Sequence, residues 1–415
     1  MEFQGSRTKG VEMSNAGENI GYVDGQLIVP DKPLVAFMQG DGIGPDVWEG
    51  ARPVLDEAVN AAYGGARVID WKELPLGQSA KESHGALLPD STIQAIRDLR
   101  VAIKGPTMTP VGGGHRSLNV TLRQELDLFA NVRPVRHFKG VESPMRHPEE
   151  LDAVIFRENT EDVYAGIEFE RGSAEAARVR ELLASMGKTV SKDAAIGIKP
   201  ISRDGTRRLV RTAIEYALQN KRRYVTMMHK GNIMKCTEGG FREWGYELAR
   251  EDYAGRVVAA ADLKDNDAPD GVVIIEDRIA DALFQDLLLM PSHFDVIAAP
   301  NLNGDYVSDA CAAQVGGLGI APGANIGAGV ALFESTHGTA PDIAGKGIAN
   351  PGSMMLSGAM LLEYLGWTEA ASLVVTGVAA VLESNRMTVD LAAGRDGIEV
   401  LGTQAFSDAV RETIR

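Results

Sequence analysis

Short apolar runs alternate with longer amphipathic stretches along this chain. Leu34-Val35-Ala36-Phe37-Met38 precedes a helix-like pattern from Pro45 to Ala62, and further runs follow at Val101-Ala102-Ile103, Ala153-Val154-Ile155-Phe156, Val272-Val273-Ile274-Ile275 and Val296-Ile297-Ala298. Runs this short, separated by helical periodicity, predict strands crossed over by helices and hence an α/β fold. Gly40-Asp41-Gly42-Ile43-Gly44-Pro45 falls at the first strand-to-helix turn. Its spacing matches neither the dinucleotide fingerprint nor a Walker A loop, so it reads as a tight turn with proline opening the helix rather than as a phosphate cradle. The charged, alanine-rich stretch from Arg171 to Asp193 predicts an insertion that packs against something outside its own domain.

At 415 residues the chain exceeds a typical single domain, which predicts two domains or one large discontinuous unit, and a hydrophobic content of 44% is ample for a core. A net charge of -15 speaks against nucleic-acid or anionic-membrane partners, which call for a basic face. Cys236 and Cys311 are too few and too far apart for a disulfide framework or a C-x-x-C zinc site, which suits a reducing compartment. No apolar run is long enough to span a bilayer, and Met1 to Asn19 lacks the apolar core of a signal peptide. The expectation is a cytoplasmic protein in which residues 1–17 form a disordered leader.

Against this acidic background one run concentrates anion-reading chemistry. Gly112-Gly113-Gly114-His115-Arg116-Ser117-Leu118-Asn119-Val120-Thr121-Leu122-Arg123 continues to Arg133 in Asn131-Val132-Arg133-Pro134. Guanidinium forks pair with carboxylates or phosphates, and Ser and Asn add short oriented hydrogen bonds. A surface turn with solvated arginines remains the alternative. Arg157 stands at the end of an apolar strand, where α/β enzymes gather ligands, and Tyr164 follows seven residues later. Lys230, in Met228-His229-Lys230-Gly231, can become a proton-transfer group if its surroundings lower its pKa, or be an exposed salt-bridging lysine.

Asp305 and Asp309 lie four apart at the start of a helical stretch, so their carboxylates share one face. Like charges so close favour a divalent cation over a merely solvated face, and oxygen-only ligands point to Mg²⁺ or Mn²⁺. Asp281 can add a third carboxylate, although by itself it reads as a helix-surface residue. Glu334-Ser335-Thr336-His337-Gly338-Thr339-Ala340-Pro341-Asp342-Ile343-Ala344-Gly345-Lys346, followed by Asn350-Pro351-Gly352, is a loop of small residues that lets a ligand approach the backbone. An ordinary surface loop has the same composition.

Taken together, and from about Leu27 to the C-terminus, the order and spacing of these segments resemble the isocitrate dehydrogenases of the β-decarboxylating dehydrogenase family, which also holds 3-isopropylmalate, homoisocitrate and tartrate dehydrogenases. The resemblance implies a non-Rossmann α/β fold, the isocitrate/isopropylmalate dehydrogenase-like fold. Residues 18–128 and 316–415 would form a large cofactor-binding domain, 129–161 and 206–315 a small domain, and 162–205 a clasp. It implies oxidative decarboxylation of isocitrate to 2-oxoglutarate and CO₂, a step of the tricarboxylic acid cycle. Arg123, Arg133 and Arg157 would hold substrate carboxylates, and Ser117 and Asn119 would meet the γ-carboxylate that marks isocitrate. Asp305, Asp309 and Asp281 would bind Mg²⁺ or Mn²⁺, and Tyr164 and Lys230 would be the acid/base pair. Asp281 and Lys230 would come from the other subunit, so a complete site needs a homodimer.

His337, Gly338, Asp342, Ile343 and Asn350 would meet the cofactor. Similar NADP-dependent enzymes carry Lys and Tyr where this chain has Asp342 and Ile343, and Tyr and Arg where it has Val389 and Ala393. A carboxylate at 342 can accept hydrogen bonds from ribose hydroxyls. At an effective dielectric near 20 it would repel a 2'-phosphate roughly 4 Å away by about 4 kcal/mol. The expected cofactor is therefore NAD. A 3-isopropylmalate enzyme is disfavoured because Ser117 and Asn119 suit a carboxylate rather than an isopropyl group. A non-catalytic regulatory subunit is disfavoured because the acid/base and aspartate sets are complete.

Ser117→Asp would place a carboxylate against the γ-carboxylate of isocitrate. Steady-state kinetics should show turnover nearly abolished; a variant with normal kcat/KM would refute that placement of Ser117.

Overall fold

Each of these apolar runs becomes part of one eleven-stranded sheet in the computed structural model, which describes residues 16–108, 117–264 and 268–415. Gly112–Arg116 and residues 1–15 of the expected leader lie outside the described residues. In chain order the strands are β1 (Leu34–Met38), β2 (Asp70–Glu73), β3 (Val101–Lys104), β4 (Ala130–Arg136), β5 (Asp152–Glu158), β6 (Tyr224–His229), β7 (Val257–Ala259), β8 (Val273–Ile279), β9 (Val296–Ala299), β10 (Pro322–Ile326) and β11 (Ala331–Ser335). Their order across the sheet is β7-β8-β6-β9-β5-β4-β10-β11-β3-β1-β2. This architecture is the mixed α/β fold expected from the sequence.

Two parallel blocks flank an antiparallel centre. The pairs from β7 to β5 and from β11 to β2 are parallel, whereas β4 pairs antiparallel with both β5 and β10, and β10 antiparallel with β11. Parallel strands need helical crossovers that cover both faces, which explains why these strands are apolar on both sides. The main core lies where the helices Gly44–Tyr63, Gly352–Tyr364, Thr368–Glu383 and Thr403–Ile414 pack through residues such as Leu55, Val374 and Phe406. Across the central strands the apolar rows are interrupted: Asn131 of β4 stands opposite both Arg157 of β5 and Asn325 of β10, and Glu334 of β11 opposite Lys104 of β3. Polar groups placed in register in a sheet interior must find one another as partners.

The turn after β1 carries Gly40 and Gly42 at φ 78° and 59°, followed by a helix that starts at Gly44 with Pro45 in its first turn. A side chain on Gly42 would run into the carbonyl oxygen of Thr339, and Ile43 donates its N–H to that oxygen at 2.9 Å. The tight turn thus serves as a backstop for the loop after β11. Between β5 and β6 lie the antiparallel ribbon Ile167–Phe169 with Ile196–Ile198 and the helix Ala174–Ser185, on which Leu182 is exposed. No helix among the described residues is long and apolar enough to cross a membrane.

The helix Asn301–Gln314 follows β9 and lies against β5. Contact is close because Gly304 has no side chain: a β-carbon there would sit 2.6 Å from both Cβ and Cγ of Arg157. Gly304→Ala should cost about 1–3 kcal/mol by overpacking and lower the thermal unfolding midpoint; an unchanged midpoint would show that the helix and strand can separate freely.

Candidate active site

Arg157, the next-to-last residue of its strand, is almost fully buried. Its Nε donates to Asn301 Oδ1 at 2.9 Å, its Nη1 pairs with Asp305, and its guanidinium lies 4.8 Å from the centre of the Tyr164 ring. Burial, together with the positive charges of Arg123 and then Arg133, outweighs the pull of Asp305 and pushes its pKa down to about 10. Three guanidinium groups therefore act on one another here, an arrangement that attracts a multiply charged anion. Arg133 donates from Nη1 to Ser308 Oγ and Asp309 Oδ1, each at 2.7 Å. Arg123, on the helix Leu118–Glu125, donates from Nε to Asn325 and pairs with Glu334 at 3.1 Å.

Tyr164 sits in a single 3₁₀ turn, Asp162–Ala165, and donates its hydroxyl to Asp305 Oδ2 at 2.5 Å. Burial first, then that hydrogen bond, pushes its pKa up to about 12, so the phenol stays protonated near neutrality. Burial works to raise the pKa of Asp305, but the charge of Arg157 and the Tyr164 hydrogen bond outweigh it and hold the carboxyl below its ordinary value. Ser117 precedes the helix Leu118–Glu125, and Asn119 in its first turn accepts at Oδ1 from Thr107 at 3.0 Å.

Lys230 and Asp281 form a separate pair, 2.6 Å apart. The ion pair holds the pKa of the exposed Asp281 down. The hydrogen bonds and ion pairs of the described side chains place Asp281 with Lys230, whereas Asp305 and Asp309 meet arginines. Among the described residues no group of three or more His, Cys, Asp or Glu is arranged to hold a metal ion. Within one chain, then, the three aspartates expected to share a cation are divided. Asp305 and Asp309 do share one helix face, and their all-oxygen donor set suits Mg²⁺ or Mn²⁺.

Behind the arginines lies a buried charge network that sequence reading missed. Lys104 Nζ approaches Glu334 at 2.7 Å, and Arg123 meets the same carboxylate at 3.1 Å. Asn325 Oδ1 accepts from Arg123, Asn131 and Asn159 at 3.0–3.1 Å, while its amide donates to Glu334 at 2.8 Å. Burial pushes the Glu334 pKa up, but Lys104 and Arg123 together overcome this and hold it well below the carboxylate range. The available signal was a lone Lys and a lone Glu ending otherwise apolar strands, Val-Ala-Ile-Lys and Ala-Leu-Phe-Glu-Ser, at the edge where ligands collect.

The loop after β11 is held from below. Gly345 donates its N–H to Asp46 at 2.7 Å, Ile343 packs on the core, and both ends of the Asn350 carboxamide are engaged, with Asp390 and with Gly352. His337 Nδ1 contacts the Gly338 carbonyl at 3.0 Å, whereas its buried Nε2 has no partner. Burial lowers its pKa, so the ring is neutral. Nothing lies within 4 Å of a β-carbon built on Gly338. An orphaned ring nitrogen beside open space fits a bound planar group. Asp342 is exposed in the 3₁₀ turn Pro341–Ile343, and Lys346, also exposed, follows within the same loop.

This fold, with convergent arginines beside paired aspartates and a small-residue loop, defines a dehydrogenase of the isocitrate/isopropylmalate class: the family's profile matches residues 34–410, and the chain belongs to the isocitrate/isopropylmalate dehydrogenase family. The relatives narrow this further. The chain is 53% identical to an isocitrate dehydrogenase (NADP) of Streptococcus salivarius, covering 95% of this chain and 98% of that one. It is 51% identical to an isocitrate dehydrogenase (NADP) of Archaeoglobus fulgidus, over 96% and 97% of the two chains. The crystal structure of isocitrate dehydrogenase from Methylococcus capsulatus superposes with a TM-score of 0.77 at 39% identity, covering 92% of this chain and 99% of that one.

These relatives correct the expectation of an NAD-dependent enzyme: both of the near-full-length relatives above are named for NADP. The physical reason lies in the exposure of Asp342. The repulsion of about 4 kcal/mol assumed a partly desolvated pair; in water the same two charges cost about 1 kcal/mol, and salt reduces this further. An exposed carboxylate of this kind does not exclude a phosphate, and Lys346 offers the opposite charge nearby.

The folded-state pKa of Glu334 is depressed, so its ion pairs contribute stability above the ordinary carboxyl value of 4.5, and that contribution is lost as pH falls below it. Glu334→Gln should therefore lower the unfolding midpoint strongly at pH 7, with the deficit narrowing as pH drops below about 4.5. A deficit of equal size at every pH would mean that its charge does not stabilise the fold.

Proposed function

We propose that this chain is a metal-dependent isocitrate dehydrogenase that converts isocitrate to 2-oxoglutarate and CO₂ with NADP as oxidant. The observation that carries this reading is the gathering of Arg123, Arg133 and Arg157 beside Asp305 and Asp309 in a chain of net charge -15. Such a gathering suits a small tricarboxylate, and the relatives' names specify which one. Asp305 and Asp309, with Asp281 from a second copy, would hold a divalent cation, and the His337–Asn350 loop would hold NADP; when bound, the first would supply Lewis acidity and the second a hydride acceptor.

The chain's own residues do the rest. The three arginines bind and orient the carboxylates, and Ser117 and Asn119 meet the γ-carboxylate. Lys230 takes the hydroxyl proton as the bond to hydrogen at C2 breaks. Tyr164, protonated near neutrality, delivers a proton to carbon after CO₂ leaves. Asp305 orients that phenol in the meantime through its hydrogen bond. Residues 18–128 with 316–415 and 129–161 with 206–315 are read as the two domains, joined through antiparallel β4 and β10, and 162–205 as the clasp.

A homodimer is part of this reading, since Lys230 and Asp281 pair away from the arginines. Exposed apolar side chains occur on both segments: Ile233 is 71% exposed three residues after Lys230, and Leu289 is 73% exposed at the far end of the helix Ala280–Leu289 that bears Asp281. A second copy that covers these side chains is compatible with this reading. A second copy docked there would bring Lys230 and Asp281 to the other copy's arginines.

Purified protein should form NADPH from isocitrate with a higher kcat/KM than it forms NADH, EDTA should abolish the activity, and Mg²⁺ or Mn²⁺ should restore it. Oxidation of 3-isopropylmalate in preference to isocitrate, or full activity in EDTA, would overturn this assignment.

A further inference from the structure

The half-buried ammonium of Lys199 lies outside every role assigned so far. It follows the ribbon strand Ile196–Ile198 of the clasp, and its Nζ stands 2.8 Å from Asp162 Oδ1 and 2.7 Å from Glu238 Oε1. Both carboxylates are buried, Asp162 at 1% and Glu238 at 0% exposure. Each is tied to a different piece of the proton-transfer machinery. Asp162 lies two residues before Tyr164 in the same 3₁₀ turn. Glu238 accepts the backbone N–H of Lys230.

The first turn of the helix Asn301–Gln314 closes the arrangement. Glu238 Oε2 accepts from Asn303 Nδ2 at 2.9 Å, Asp162 Oδ2 accepts from the N–H of Leu302 at 3.0 Å, and Asn301 holds Arg157. Three consecutive residues thus anchor the Lys230 loop, the Tyr164 turn and a substrate arginine to the helix that bears Asp305 and Asp309. Asp162 is held at φ 68°, a left-handed conformation that costs a non-glycine residue about 1–3 kcal/mol. Its contacts to Lys199, Leu302 and Pro200 keep it there.

We propose that Lys199 is a positioning residue: its ammonium fixes the Tyr164 turn relative to the Lys230 backbone, and through the shared helix relative to Asp305. The physical basis is that two buried carboxylates facing one cation repel each other once it is removed, so that one must move or take up a proton. The shift is passed to the Tyr164 turn on one side and to the Lys230 loop on the other. Because Tyr164 serves the site of its own chain and Lys230 that of the second copy, one ammonium couples both sites of a dimer. This inference rests on the reading of Tyr164 and Lys230 as the acid/base pair.

The test uses the full-length protein with isocitrate, NADP and Mg²⁺. Lys199→Met keeps most of the stem and removes the charge; Glu238→Gln keeps the shape and an acceptor for Lys230 and Asn303. Both should lower kcat by about 10- to 100-fold, the loss expected for a displacement near 1 Å, with KM for isocitrate within about threefold of wild type. Lys199→Arg, which restores a cation, should recover part of the rate. Added to Tyr164→Phe, Lys199→Met should cost less than it does alone, since part of its effect passes through the phenol. An active wild type with unchanged kcat in Lys199→Met and Glu238→Gln, or losses that simply multiply in the double variant, would overturn the inference and leave the proposed function standing. A wild type that does not turn over isocitrate would overturn the proposed function itself.

Discussion

Everything at the candidate site answers to the enclosure of Arg157. A guanidinium removed from water at the end of a strand, with Arg123 and Arg133 close enough to disfavour its charge, must be met by oxygens placed around it. Asn301 and Asp305 supply them from one helix, which can approach only because Gly304 leaves room for the arginine stem. Tyr164 completes the enclosure, with its ring near the guanidinium and its hydroxyl on Asp305. The carboxylate that neutralises the arginine also orients the phenol, so in the proposed reading substrate binding and proton transfer share one support.

The same logic extends outward in two directions. Toward the four-stranded parallel block, Glu334 neutralises Lys104 and Arg123, and Asn325 links that pair to Asn131 of β4 and to Asn159 just after β5. Toward the ribbon Ile167–Phe169 with Ile196–Ile198, Glu238 and Asp162 share Lys199. Buried charges of this kind add little net stability, but breaking one member strands the others, which makes the arrangement specific.

Much of the fold was legible because strand burial writes itself as apolar runs. The runs at Leu34, Val101, Ala153, Val272 and Val296 fell in strands, and the helix expected over Pro45 to Ala62 spans Gly44–Tyr63. Arg157 was expected near the end of an apolar strand, and it is the next-to-last residue of β5. Asp342 was harder to weigh: its sign was readable, but its energetic weight depended on solvent exposure, and that misjudgement produced the expectation of NAD. Lys199 and Glu238 went unseen because a lysine in a charged insertion and a glutamate opening a helix carry no mark of burial in sequence.

The sequence alone determined which chemical groups the protein has and the edges on which they stand, because periodicity and strand ends are local properties. Only the tertiary structure decided which groups share a partner. It placed Asp281 with Lys230 rather than with Asp305, gave Glu334 to two cations, and set one ammonium between the Tyr164 turn and the Lys230 loop. Pairing is a matter of distance and desolvation between segments far apart in the chain, and residue order does not encode either.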